Sequence, residues 1–387
     1  MPKIVVNKHT PAAVEAFSLL GTVVALDTLE VTDEAVRDAD LLVVRSETKV
    51  DRALLEQSRV MFVGTVTIGF DHVDTEYLAS RGIAFANAPG SNANSVADYV
   101  TAALFTWSQR TGSPLRGKSI GIVGVGHVGS KVERVARALG MKVILNDPPL
   151  ARQTRDEKYR PLDELMEADF ITLHVPLTTS GVDATYHLFD ASRIRRMKAG
   201  SVLLNTSRGA VVETKALEER LVSKHLSAAI LDVWEGEPEI SLDLLSRVML
   251  GTPHIAGHSL DGKLNACRMI YEEAARFLGV TPTWRIDASL TPDEARIAVP
   301  PEPEEECDVV HYVVREAYDI ESDDRLLRQL NGMKQSDRRG YFMKLRAEYR
   351  IRREFFNRTV ELGPHQVSAM PVLQDLGFKT ILRKEKR

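Results

Sequence analysis

The stretch Ile120–Gly129, IGIVGVGHVG, carries Gly124, Gly126 and Gly129 in the spacing G-x-G-x-x-G. Alone, that spacing fits any tight turn from strand to helix, but its surroundings narrow the reading. It closes the strand-like run SIGIVGV and opens the amphipathic run SKVERVARALG, and the next apolar run, KVILND, ends in Asp147. Glycines at such a turn let the backbone approach a pyrophosphate at a helix N-terminus, while a carboxylate after the second strand accepts from ribose hydroxyls. The cofactor loop is therefore expected at Gly124, Gly126, His127, Val128 and Gly129, with Asp147 on the ribose. The carboxylate repels a 2′-phosphate, and Pro148 and Pro149 bring no cation beside it, so NAD is expected rather than NADP, with Arg152 the cation that could argue otherwise.

Working outward, the runs KIVV, TVVAL, DLLVVR and VMFVGT precede residue 94, and DFITLHV, SVLLNTS and SAAILDV follow the glycine loop. Apolar runs of this length alternating with amphipathic ones are the βαβ pattern of parallel sheets covered by helices. The fold class expected is α/β, with two Rossmann-like, doubly wound parallel-sheet domains. Between the two sets, SVADYVTAALFTWSQR places Val96, Tyr99, Val100, Ala103, Leu104 and Trp107 at helical spacing, with Asn94 or Ser95 as its N-cap. KLNACRMIYEEAARFLG reads as a second long helix, closed by Gly279. The run VPPEPEEE (299–306) reads as an extended acidic linker. A small α+β unit is expected beyond it, with a helix carrying Phe342, Leu345, Tyr349 and Phe356, and with Arg346, Arg350, Arg352 and Arg353 on a solvated helix face rather than in a partner's cleft.

Composition excludes several classes. A chain of 387 residues, 44% apolar, has material for two or three cores, and its net charge of -4 argues against broad capture of nucleic acid. Its two cysteines, Cys267 and Cys307, make no disulfide framework, and no secretory signal or membrane-spanning run is read, so a cytoplasmic location is expected.

Three loops on one side of the second sheet carry the chemistry: NTSRG offers Arg208, LDVWEGEP offers Asp232 and Glu237, and TPHIAG offers His254. Ligands bind outside the carboxyl ends of strands in such sheets, so these loops converge on one place. A guanidinium grips a carboxylate in a bidentate fork, an imidazole takes a hydroxyl proton as hydride leaves the adjacent carbon, and a neighbouring carboxylate orients the ring. His254 and His258 are four apart, but Pro253 and Gly257 deny them a helical face, so no metal is expected.

In that order after GIVGVGHVG, these motifs resemble the D-isomer-specific 2-hydroxyacid dehydrogenase family over residues 1–280. The resemblance implies NAD as cofactor, Arg208 binding substrate, Glu237 supporting the histidine, and His254 as proton donor or acceptor. It also implies a discontinuous substrate domain at 1–94 and 262–283, an inserted NAD domain at 95–261, and a C-terminal dimerisation domain at 284–387. VRSETKVD, VGTVTIGFDHVD, NDPPLA, GHSLDGK and the C-terminal unit are similar to one branch of that family, over nearly the whole chain. That branch implies oxidation of 4-phospho-D-erythronate at C2 to 3-hydroxy-2-oxo-4-phosphooxybutanoate in vitamin B6 synthesis, by a homodimer. Ser46 and Thr67 would touch the substrate, with Arg45 nearby and His258 where tyrosine is usual. Val175, where threonine is usual, would lie by the cofactor with Thr206, Ser207, Asp232 and Gly257. The alternatives are another D-2-hydroxy acid, above all 3-phosphoglycerate, and a dinucleotide-sensing corepressor.

Overall fold

Every apolar run read above as a strand is a strand in the structure, a computed structural model that describes residues 1–287 and 296–383. By its contacts the chain forms two compact units: Met1–Asn92 together with the chain from Ser259, and Ala93–His258 together with the described residues from 296 on.

In the first unit, β1 (Lys3–Asn7), β2 (Thr22–Leu26), β3 (Leu41–Val44), β4 (Phe62–Thr65) and β5 (Ala84–Ala86) pair in parallel in the order β2-β1-β3-β4-β5. LLVV and FVGT are buried at every residue, as strands covered on both faces must be, whereas the edge strand β2 is partly exposed. The helix Leu260–Phe277 packs Cys267, Ile270, Tyr271 and Ala274 against this core. Ser259 caps it through Gly262 N–H (2.8 Å), and Gly279, at φ +71°, follows its end as expected.

In the second unit, β6 (Ser119–Val123), β7 (Lys142–Asn146), β8 (Phe170–Leu173), β9 (Val202–Asn205), β10 (Ala228–Leu231) and β11 (Leu250–Gly251) are all parallel, in the order β11-β10-β9-β8-β6-β7. A single parallel bridge, Leu145 to Tyr159, adds a vestigial strand outside β7. With it the sheet contains the doubly wound 3-2-1-4-5-6 order, β11 standing as a seventh strand beyond β10, and its winding reverses between β6 and β8. β5 and β11, of three and two residues, are strands that the sequence does not announce, because they are too short to show a period.

Several local expectations are corrected. The helix Ala93–Thr111 starts ahead of both proposed caps, and the Ser95 hydroxyl donates instead to the Ala256 carbonyl at 2.9 Å. VPPEPEEE is not a loose linker. Val299 is buried beside β12 (Arg296–Ala298), Gln366 Nε2 donates to the carbonyls of Pro300 (2.6 Å) and Pro303 (2.8 Å), and a helix begins at Glu306. β12, β13 (Thr359–Leu362) and β14 (Lys379–Leu382) form a small parallel sheet. The arginine-bearing helix is Gln335–Ala347, so Tyr349 and Phe356 lie beyond it. Arg352 is the plainest departure, because it is 2% exposed rather than on a solvated face.

Candidate active site

The glycines of the first motif have three different jobs. Gly124, at φ +86°, faces the His174 carbonyl, which a Cβ would meet at 2.6 Å. A Cβ on Gly129 would meet the Gly124 carbonyl oxygen at 1.9 Å, so only glycine lets the helix Gly129–Ala138 start this close to β6. Around Gly126 nothing lies within 4 Å, and it and His127 are exposed while Val128 is half-buried. This loop leaves β6 at the reversal of the sheet, where a pyrophosphate has open access to backbone N–H groups.

Asp147 follows β7 and organises the same corner. Its Oδ2 accepts from Val125 N–H (2.8 Å) and its Oδ1 from Leu150 N–H (3.0 Å), capping the helix Pro148–Thr154. Arg152, the cation that would suit a 2′-phosphate, forms a fork on Asp183, with Nη1 to Oδ1 at 3.1 Å and a closer contact from Nη2 to Oδ2. The corner thus fits NAD. Past β8, Val175 lies beside Gly124, and His174 is clasped between Thr172 Oγ1 (2.9 Å) and Thr206 Oγ1 (3.2 Å). Burial pushes the His174 imidazole down to about 3 and keeps it neutral. Sequence reasoning had not singled out this histidine.

After β9, Asn205 shapes the turn that presents Arg208. Its Oδ1 accepts from Ser207 N–H (3.0 Å) and Oγ–H (2.8 Å), and its Nδ2 donates to the Arg208 carbonyl (2.9 Å). This is the local turn chemistry of asparagine, legible in NTSRG although it was not read there. A Cβ on Gly209 would stand 1.9 Å from the Trp234 carbonyl carbon, so the Arg208 turn lies directly on the loop that carries Glu237. Trp234 ties that loop down: its indole N–H donates to the Thr252 carbonyl (2.9 Å), and its backbone N–H to Glu237 Oε2 (3.1 Å).

His254 completes the group. Its backbone sits at φ +59°, unusual without a glycine, and its N–H donates to the Asp232 carbonyl at 2.7 Å. Nδ1 meets Glu237 Oε1 at 2.5 Å, so Nε2 lies on the side of the ring away from that pair. Burial would raise the Glu237 carboxyl, but His254 beside it and Arg346 hold it below its usual range. Asp232, expected beside the cofactor, organises the backbone on this side of the sheet. Its carboxylate is 1% exposed and accepts from Thr252 Oγ1 (2.6 Å), Ile255 N–H (2.8 Å) and Ala256 N–H (2.9 Å), so it builds the turn leading to Gly257. Burial raises this carboxyl above the ordinary value.

The structure therefore brings Arg208, Glu237 and His254 together at the carboxyl ends of β9, β10 and β11, beside the nucleotide corner of the same sheet. Among known proteins, three relatives called erythronate-4-phosphate dehydrogenase decide the chain's family. The chain is 44% identical to that of Chromohalobacter salexigens over 98% of this chain and 99% of the relative. It is 44% identical to that of Bacteroides fragilis over 91% and 97%, and 41% identical to that of Klebsiella pneumoniae over 98% and 98%. The chain belongs to the erythronate-4-phosphate dehydrogenase family. Within it, residues 91–256 match the NAD-binding domain of D-isomer specific 2-hydroxyacid dehydrogenases, and residues 298–377 match a domain of unknown function, DUF3410. The fold is also that of D-lactate dehydrogenase from Aquifex aeolicus complexed with NAD and lactic acid, with TM-score 0.59 and 27% identity over 72% of this chain and 95% of that one. NAD-dependent formate dehydrogenase from Staphylococcus aureus in complex with NAD gives 0.59 and 26%, over 71% and 95%. This erythronate-4-phosphate dehydrogenase family member is thus an NAD-dependent oxidoreductase.

The residues expected at the substrate from the first unit follow β3 and β4. Arg45 is half-buried with Nη2 3.3 Å from Glu47 Oε1, and Ser46 is exposed. Thr67 Oγ1 donates to the Gly69 carbonyl and shares a hydrogen bond with Thr65 Oγ1, both at 2.7 Å. In the second unit, the His258 ring packs edge-on to Tyr349, with centroids 5.9 Å apart.

Proposed function

We propose that this chain, like relatives named for the dehydrogenation of erythronate 4-phosphate, oxidises 4-phospho-D-erythronate, and does so at C2 to give 3-hydroxy-2-oxo-4-phosphooxybutanoate, as part of vitamin B6 synthesis. One observation carries the reading: Nδ1 of His254 is committed to an ionised Glu237, beside the Arg208 turn and the nucleotide corner. The guanidinium of Arg208 binds the substrate carboxylate in a fork and so fixes the orientation of C2 toward the hydride acceptor. His254 Nε2 takes the C2 hydroxyl proton, and the Glu237 carboxylate stabilises the imidazolium that forms. Bound NAD supplies the acceptor for the C2 hydride. On the first unit, Arg45, Ser46 and Thr67 follow the ends of β3 and β4 and offer a cation and hydroxyls suited to the phosphate or the adjoining hydroxyl, and His258 takes a place beside the substrate.

We further read the region 284–387 as the homodimer contact and the location as cytoplasmic. Exposed apolar side chains at Ile351, Phe356, Val367, Ile381 and Leu382 support the first. Among the described residues no helix is long and apolar enough to cross a membrane. The activity is tested by stoichiometry: purified protein with NAD and 4-phospho-D-erythronate should yield one NADH for each 2-oxo acid trapped as its hydrazone. NADH formed without the trapped product, or neither, would overturn the substrate assignment.

A further inference from the structure

The turn 254–258 carries two of the residues above, and its backbone is held at an unusual place. Ala256 is gripped at both polar atoms: Asp232 Oδ2 accepts from its N–H (2.9 Å), and its carbonyl accepts from Ser95 Oγ (2.9 Å) and Arg352 Nη2 (2.7 Å). Arg352 Nη2 also donates to Ser95 Oγ at 2.5 Å, and the guanidinium lies over the Tyr318 ring, 4.2 Å from its centroid. A 2% exposed guanidinium is costly to bury unless it is hydrogen-bonded and compensated. Here the compensation comes from the Tyr318 face and from Asp98 and Glu354, whose carboxylates attract it. Three residues away, Tyr349 seats its ring edge against His258 and donates its hydroxyl to Asp323 Oδ2 at 2.8 Å. Downstream, Phe355 N–H donates to Asp98 Oδ2 at 3.1 Å, so the segment is fastened on both sides of Arg352.

Packing alone does not require this arrangement, because an unbranched apolar side chain would fill the space without burying a charge. A forked donor is needed only if the Ala256 carbonyl and Ser95 must be held together. The need lies two residues back: His254 keeps a left-handed backbone, which a non-glycine residue retains only where its surroundings over-determine it.

We propose that Arg352 is a positioning residue, fixing through the Ala256 carbonyl the turn that presents His254 and His258. The C-terminal segment is then part of the catalytic apparatus of its own chain. This inference rests on the dehydrogenase reading for its kinetic arm and on the fold alone for its second arm.

The test compares Arg352→Met and Arg352→Lys with the parent protein in single turnover with NAD and 4-phospho-D-erythronate. The account expects the rate constant of NADH appearance to fall about a hundredfold in Arg352→Met, the scale on which remote misplacement of a reacting group acts. It expects a smaller fall in Arg352→Lys, which keeps one donor, and in both cases an unchanged amplitude and KM for NAD. A role confined to stability would lower the amplitude with the folded fraction and leave the rate constant alone, which would overturn the proposal. Should both variants fail to fold, Ser95→Ala removes one partner of the same carbonyl, and an unchanged rate constant there would equally overturn it. The second arm is amide hydrogen exchange without substrate: exchange at residues 254–258 should quicken in the variants, and unchanged protection would contradict the latch. If the parent protein turns over no hydroxy acid, the substrate reading fails while the exchange arm still decides the latch.

Discussion

In the proposed mechanism His254 divides its ring between two tasks, Nδ1 toward Glu237 and Nε2 toward the substrate, and its replacement isolates the second. His254→Gln should lower kcat by about a hundred- to ten-thousandfold, the usual contribution of a positioned general base, with KM for NAD little changed; steady-state kinetics checks this. His174 makes a prediction of another kind. Its folded pKa, about 3, lies below the ordinary 6.5, so protonation favours the unfolded chain. The stability contributed by the neutral ring is complete above pH 6.5 and is lost as pH falls from there toward 3. Thermal midpoints measured across that range should decline less steeply in His174→Gln than in the parent, and equal slopes would contradict the assignment.

Among the elements, the glycine loop separates fold from function by single methyl groups. Gly129→Ala and Gly209→Ala drive a Cβ into backbone, at 1.9 Å in each case, and should unfold or badly destabilise the second unit. Gly126→Ala meets no protein atom, so its thermal midpoint should stay near the parent's while KM for NAD rises. A stability loss at Gly126 as large as at Gly129, or an unchanged KM for NAD in Gly126→Ala, would contradict this reading of the loop. These elements were the most legible in the sequence. Apolar runs buried on both faces announce themselves, and NTSRG, LDVWEGEP and TPHIAG lie at strand ends whatever their tertiary partners. The caps were less legible: Ser95 has the chemistry of an N-cap, and only the fold shows that the Ala256 carbonyl claims its hydroxyl.

For the whole molecule, the C-terminal region shares a core with the nucleotide sheet. Val309, Val310, Val313 and Val314 of the helix Glu306–Ala317 are buried in one cluster with Tyr99, Val100, Ala103 and Leu104. Burying four valines is worth about 6 to 12 kcal/mol in transfer terms, comparable with the entire stability of a domain. Removing residues from 296 onward should therefore give a chain that binds a hydrophobic dye and loses near-ultraviolet ellipticity, not a folded monomer with normal NAD affinity. The linker-like composition of VPPEPEEE and the charge of KLRAEYRIRREF concealed this. Proline and charge describe what a segment prefers in water, and the buried places of Val299 and Arg352 exist only after the long-range contacts have formed. Arg208, Glu237 and His254 are proposed to oxidise a phosphorylated four-carbon hydroxy acid with NAD. The most direct test is the burst of NADH absorbance in single turnover, with 4-phospho-D-erythronate and 3-phosphoglycerate compared on the parent protein and on His254→Gln. The account predicts a burst with erythronate phosphate in the parent, lost in the variant. A burst confined to phosphoglycerate, or one that survives in His254→Gln, would contradict it.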